Sequence, residues 1–281
     1  MRFTRSALAA LVGGMGAMKI EVICIFGVFV AFALLETART KFFNKPHQTR
    51  DDAWVEVIGS FVLLLATQPL IMFIAYTAMS FAFPHSQGKW AGLPIIAQVG
   101  LFIVFEDMMQ YWWHRTSHSV PFLYNLHRAH HNAEYMSVRI VYRNNIFYYL
   151  LMPSLWFAGA LIYLGLGWVY IPYVIIKQTV ITASHSDVRW DQPLYKIKWL
   201  SPIMWLVERT ISTPTTHSAH HGKHKEDGVT HYKGNFGNLL FFWDVLFGTA
   251  KITRQIPPAF GVENLEPAHA GQQLLWPVFR G

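Results

Sequence analysis

Residues 146–176 read IFYYLLMPSLWFAGALIYLGLGWVYIPYVII, a run of 31 positions without one charged side chain. As a single straight helix the run would be about 46 Å long, well beyond the ~30 Å hydrocarbon core of a bilayer. Leu164-Gly165-Leu166-Gly167, near its middle, supplies a turn. The run therefore predicts a hairpin, with arms near 147–163 and 168–184, that enters a membrane and returns to the side it left. This reading decides the fold, because it sets the side on which everything after residue 184 lies.

Outward from the hairpin, residues 22–35, 57–88 and 91–105 are also free of Asp, Glu, Lys and Arg. Only 14% of the 281 residues are charged, against 53% apolar and 16% aromatic; a soluble domain averages about 25% charged. The expected fold is an all-α integral membrane protein, a single domain over 1–281. It has about four to five apolar helices including the in-and-out hairpin. A first helix falls near 20–36, short enough to lie only in the interface. A second falls near 57–82 with a kink at Pro69, and a third near 92–113. Eleven tryptophans and twelve tyrosines suit the aromatic belts at membrane surfaces. Residues 1–17 read as a frayed extension rather than a signal peptide. Residues 190–213 repeat Leu194, Ile197, Leu200, Ile203, Met204 and Val207 at helical spacing among charges, as a surface-lying amphipathic segment does. Lys177 sits awkwardly in the second hairpin arm. Near a midplane it costs about 2.5–3.5 kcal/mol on insertion scales, unless it faces the protein or the hairpin is shallow.

The net charge is +7. The basic residues lie between apolar spans, which points to anionic lipid head groups rather than nucleic acid. Arg39, Lys41, Lys45 and Arg50 crowd segment 37–55, while loop 84–92 holds only Lys89. The positive-inside rule then places the first loop, and every histidine run with it, on the cytoplasmic side of a bacterial inner membrane or an ER membrane. Cys24 is the sole cysteine, which excludes an intrachain disulfide and a thiolate-held cluster.

Nine of fourteen histidines form a pattern. Three runs hold eight: His114-Arg-Thr-Ser-His118, His127-Arg-Ala-His130-His131 and His217-Ser-Ala-His220-His221, with His185 alone between the last two. Residues three or four apart share a helix face, so each run can aim at one site. Imidazole suits iron, zinc, copper and nickel. A single zinc site takes three or four protein ligands, so nine histidines fit two ions and form a histidine-rich cap on the helices. His47, His85, His224, His231 and His269 are expected at the surface or interface, with His224 and His231 close enough to the third run to support it. Asp107, Tyr111, His114 and His118 form one helical stripe. Metal-bound imidazole gives its second N–H to a carboxylate or carbonyl, so Asp107 and Tyr111 are expected to orient this cluster.

Phe105-Glu-Asp-Met-Met-Gln-Tyr-Trp-Trp-His114-Arg-Thr-Ser-His118, Leu126-His127-Arg-Ala-His130-His131 and Thr213-Pro-Thr-Thr-His217-Ser-Ala-His220-His221-Gly222 together resemble the fatty acid hydroxylase superfamily. Asn235-Phe-Gly-Asn-Leu-Leu-Phe-Phe-Trp-Asp244-Val-Leu-Phe-Gly-Thr249 resembles its tail motif. The resemblance covers a catalytic region of roughly 100–250. Residues 134–143 and His185 look closest to the alkylglycerol-monooxygenase-like and bacterial sterol-desaturase-like branches. The sequence departs from these at Thr216, where they often carry a further histidine. It departs also at Tyr148, near a glutamate of some relatives, and in a long 185–217 segment. The resemblance implies a non-haem di-iron site, with the nine histidines as ligands. That site uses O2 to hydroxylate, or alternatively to desaturate, a C–H bond of a lipid substrate. Neutral imidazoles cancel none of the charge on two iron ions, so Asp107, Asp187 or Asp244 are expected to help compensate. The sequence has no dinucleotide fingerprint, P-loop or haem motif. Electrons would come from a ferredoxin, cytochrome b5 or flavin reductase.

Two readings of other classes compete. A zinc hydrolase needs a general base beside the metal, and Glu134 is the nearest candidate. A metal carrier should place ligands along its spans, whereas these sit at helix ends on one side.

Overall fold

The computed structural model describes residues 5–266 and 268–280, with side chains from Ile20 except Glu21. Part of the expected N-terminal extension, residues 1–4, lies outside the described residues. From Arg5 its backbone continues into α1, Arg5–Arg39. α2 (Arg50–Val62) runs through a π turn at Leu63–Thr67 into α3 (Gln68–Ala82). α4 (Ile95–Phe102) runs through a π turn at Ile103–Met108 into α5 (Met109–Ser117). α6 (Pro121–His131), α7 (Ile146–Leu150), α8 (Pro153–Leu161) and α9 (Gly167–His185) follow. The shorter α10 (Asp191–Tyr195), α11 (Ser201–Thr210), α12 (Pro214–His220), α13 (Phe242–Leu246) and α14 (Ala270–Leu275) complete the chain. Among the described residues the only extended pairing is one antiparallel bridge, Gly222 with Phe260.

The protein is an all-α integral membrane protein. Three segments are long and apolar enough to cross a bilayer: Val22–Arg39, Arg50–Ala82 and Pro153–His185. The first is longer than the interfacial helix expected. The third expected helix is continuous over 95–117 but is not among the three, because Glu106, Asp107 and Gln110 make its second half polar.

The long apolar run does reverse. A straight helix would hold Tyr148 and His185 about 55 Å apart. Instead Tyr148 stacks on His127 at 4.7 Å, His185 lies 5.1 Å from His130, and His127 and His130 stack on each other at 5.1 Å. The turn is at Gly165, with φ 108°, a backbone region that glycine alone enters freely. The tip docks on the 83–94 loop: Gly88 N–H donates to Tyr163 O at 3.0 Å and Trp90 N–H to Leu164 O at 2.8 Å. The hairpin tip is thus at the end away from the histidines.

Close packing fixes the arms. α8 lies on α3 through Gly159, where an added Cβ would come within 2.8 Å of Met72 O; small residues permit such approach between membrane helices. α9 lies on α1. Buried Glu36 at the end of α1 accepts from Ser137 Oγ (2.6 Å), Val138 N, Ser186 Oγ and Asp187 N. α1, the 137–138 turn and the end of α9 are therefore one joint. Fully buried Arg143 donates to Ala129 O at 2.6 Å and pairs with Asp52 of α2 at 2.5 Å, tying the cap to the spans. Lys177 faces inward, its Nζ 2.5 Å from the Glu106 carboxylate, which also accepts from Tyr173 OH. The amphipathic 190–213 segment is broken after Tyr195 into α10, a short turn at Lys198–Leu200 and α11, with Trp199, Ile203, Trp205 and Leu206 turned outward.

Replacing Gly165 by Ala forces a left-handed residue and sets a Cβ 3.0 Å from Ala91 and Gly88. The expected loss is about 1–3 kcal/mol, read as earlier unfolding in a denaturing-detergent titration. Gly100→Ala, where a Cβ meets nothing within 4 Å, should unfold like wild type or slightly later. Equal behaviour of the two variants would refute the tight tip.

Candidate metal centre

The nine histidines of the sequence pattern converge into two groups. His114, His118, His127, His131 and His220 form one; His130, His185, His217 and His221 form the other. Within each group one ring nitrogen per residue lies within 4.8 Å of the rest. Each HxxHH run is divided rather than aimed at one site. In α6, His127 and His131 turn to the first group and His130 to the second. In α12 and the residue after it, His217 and His221 turn to the second and His220 to the first. The i,i+4 pair shares a face, while adjacent residues point about 100° apart. His131 and His221 stack at 4.4 Å between the two groups.

Hydrogen bonds fix the ring tautomers. Nδ1 of His114 donates to Phe236 O (2.7 Å), that of His220 to Gly234 O (2.7 Å), that of His130 to Ile140 O (2.9 Å) and that of His185 to Ile181 O (2.7 Å). A carbonyl can only accept, so each Nδ1 carries the proton and each neutral ring leaves Nε2 bare. Yet Nε2 of His114 lies 3.0 Å from Nε2 of His220, and Nε2 of His130 lies 3.2 Å from Nε2 of His185. Each group therefore contains two lone pairs facing each other in a buried space. A cation between them relieves this. A proton is a poor one here: burial pushes His114 down to about 4 and, with neighbouring imidazoles, holds His118, His130 and His220 well below the ordinary value. Nε2 of His118 and Nδ1 of His217 are also buried without a hydrogen-bond partner among the described residues. The donor set fits two metal ions of the kind imidazole binds.

A fatty acid hydroxylase family model matches residues 99–249, more than half of the chain.

The chain belongs to the fatty acid hydroxylase family.

It is 29% identical to an alkylglycerol monooxygenase of Danio rerio over 154 residues, 51% of this chain and 28% of the relative. It is 25% identical to that of Homo sapiens over 232 residues, 79% of this chain and 46% of the relative. The chain thus spans less than half the length of these curated relatives. No solved structure matches it.

In this family member the acids named from sequence stand around the histidines rather than against them. Asp107 accepts from Trp243 Nε1 at 2.7 Å, and Tyr111 OH meets Thr249 Oγ1 at 2.9 Å. Both hold the tail motif. Asp244 accepts from Phe236 N (2.8 Å), Gly237 N (2.6 Å) and Thr249 Oγ1 (2.6 Å), so it fixes the turn whose carbonyl holds His114. Asp187 pairs with Lys45 at 2.7 Å in the α1 joint. His231 Nε2 meets Thr249 O and His224 meets Glu263; both lie outside the two groups. Thr216, at the departure from related branches, caps α12 in a reciprocal pair with Thr213.

Sequence reasoning missed Asn144. Its Oδ1 accepts from His127 Nδ1 at 2.9 Å while its Nδ2 donates to Tyr149 OH. It also missed the four carbonyls, those of Phe236, Gly234, Ile140 and Ile181. A cavity of about 80 Å³ touches His114, His127, His130 and His185, with Tyr142 and Lys177 on its far walls.

Asn144→Ala should free the His127 ring and weaken metal binding by about 10–100-fold, as losing such a partner does at other metal sites. Competition with a chelator reads this directly. Unchanged metal retention would show that Asn144 does not orient His127.

Proposed function

We propose that this chain is a membrane-bound non-haem di-iron oxygenase that hydroxylates a C–H bond of a lipid. It would use O2 and electrons from a ferredoxin, cytochrome b5 or flavin reductase. One observation carries the reading: two adjacent all-histidine groups, each with a pair of bare, buried imidazole nitrogens facing each other. Two iron ions, once bound by the nine histidines, supply the O2 and C–H chemistry that no side chain here can perform.

The protein's own residues do the rest. Phe236, Gly234, Ile140 and Ile181 carbonyls hold the rings in one tautomer. Tyr148, stacked at 17° on His127, covers the first group and keeps water from that ring. Desaturation would use the same residues; hydroxylation is preferred because the relatives are monooxygenases. A zinc hydrolase is disfavoured, since Glu134, its candidate base, is half-exposed, bound to Lys223 at 2.6 Å and outside both groups. A carrier is disfavoured because the histidines gather at one end of the spans. The catalytic region would be 100–250 within a single 1–281 domain. The basic 37–55 segment lies at the histidine end through Lys45 and Asp187, which supports a cytoplasmic active site.

Protein from iron-supplemented cells should carry close to two irons per chain and consume O2 when a reductant is added. Lipid mass spectrometry of cells with and without the gene should show gain of one oxygen atom. His114→Ala or His217→Ala should abolish both signals and lower metal content, while His85→Ala and His269→Ala should not. A reproducible single iron, or equal behaviour of all four variants, would refute the two-iron reading. Loss of two hydrogens instead of gain of oxygen would identify a desaturase.

A further inference from the structure

A second, larger space lies on the outer side of Tyr142. It measures about 630 Å³ and is walled by Phe26 and Phe29 of α1, by Val57 and Phe61 of α2 and by Leu65 just beyond it. α1 leans on α9 and α2 continues into α3, so the gap between α1 and α2 opens toward lipid. Its α2 wall extends from residue 53 to 65, about 18 Å of helix. Both walls belong to candidate membrane spans. Phe61 and Leu65 are 59% and 62% exposed to what would be bilayer.

Two features separate this groove from ordinary lipid-facing surface. First, it abuts the metal-side cavity, with one side chain between the two. Tyr142 lines both, and Leu63 lines the cavity while its neighbour Leu64 lines the groove. Tyr142 is buried between them, its hydroxyl donating to Gln178 Oε1 at 3.2 Å. Second, its polarity changes along its length. Gln48, Glu56 and Arg139 stand at the histidine end, with Arg139 Nε and Nη2 on Glu56 Oε2 at 2.8 and 2.6 Å. The next residue but one, Val141, already lines the cavity. An amphiphile fits this arrangement, its polar end at the cap and its chain down the groove.

We propose that the α1–α2 groove binds the alkyl chain of the lipid substrate, with Tyr142 as the partition the lipid must pass to reach the metals. The proposal rests on the lipid-oxygenase reading, but chain binding can be measured without turnover. The full chain in phosphatidylcholine vesicles would be illuminated with a long-chain fatty alcohol bearing a mid-chain diazirine. Crosslinked peptides would then be mapped. Crosslinks should concentrate on residues 22–29 and 57–65, saturate with probe and be competed by unlabelled fatty alcohol. Val57→Trp, which fills the groove, should lower both labelling and lipid oxidation about tenfold, a loss of about 1.4 kcal/mol in binding, with unchanged metal content. Phe73→Trp, lipid-facing on α3 but outside the groove, should change neither. Crosslinks spread evenly over lipid-facing residues, or not competed in the wild-type protein, would overturn the proposal whether or not Val57→Trp folds. If the protein oxidises no lipid yet labels saturably in the groove, the oxygenase reading fails and the chain-binding groove stands.

Discussion

The arrangement turns on pairs of imidazole nitrogens that face one another without a proton between them. His114 opposes His220 and His130 opposes His185, and in all four rings the proton is committed to a backbone carbonyl on the other side. Each such pair is a buried repulsion that a bound cation converts into ligation. Much of the cap serves to keep it so. Asp244 sets the turn that presents Phe236, Asn235 Nδ2 bonds Thr216 O of α12, and Arg143 anchors the end of α6 at Ala129. Metal binding would then add to the stability of the elements that carry the ligands.

The membrane side repeats this economy of charge. Glu106 precedes His114 by eight residues and Lys177 precedes His185 by eight, which puts each about 12 Å along its helix from its histidine. They meet at 2.5 Å, with Tyr173 on the same carboxylate. A buried pair of this kind is weak support for stability, since desolvation offsets the attraction, but breaking it by removing one partner is costly. It locks α9 to the helix bearing His114 and so sets the depth of the cavity between them.

How much of this was legible in the sequence follows from what each feature requires. The hairpin was legible because a charge-free run longer than a bilayer must turn, and Gly165 marks where. The nine histidines were legible because helical spacing brings i and i+4 together. The splitting of each HxxHH run between two groups needed the relative placement of α6, α9 and α12, which periodicity does not encode. Asp107 and Tyr111 share the predicted stripe with His114, but the tail motif competes for them through Trp243 and Thr249. The carbonyls at Gly234 and Phe236 were invisible, since every residue has one. Lys177 looked like a conflict only because Glu106, its partner, is distant in sequence.

The division of the histidines also orders the birth of the site during synthesis. Four members of the first group lie within residues 114–131, on α5, α6 and the turn between them, and only His220 comes later. The second group has a single member, His130, before the hairpin; His185 follows the whole hairpin and His217 and His221 follow α11. A ribosome has therefore delivered most of the first group while the membrane hairpin is still unmade. The second group cannot exist until the hairpin has gone in, come back and been joined by α12. Yet neither group is complete before α12, which brings His220 to the first and His217 to the second, so both close only after the hairpin has been made.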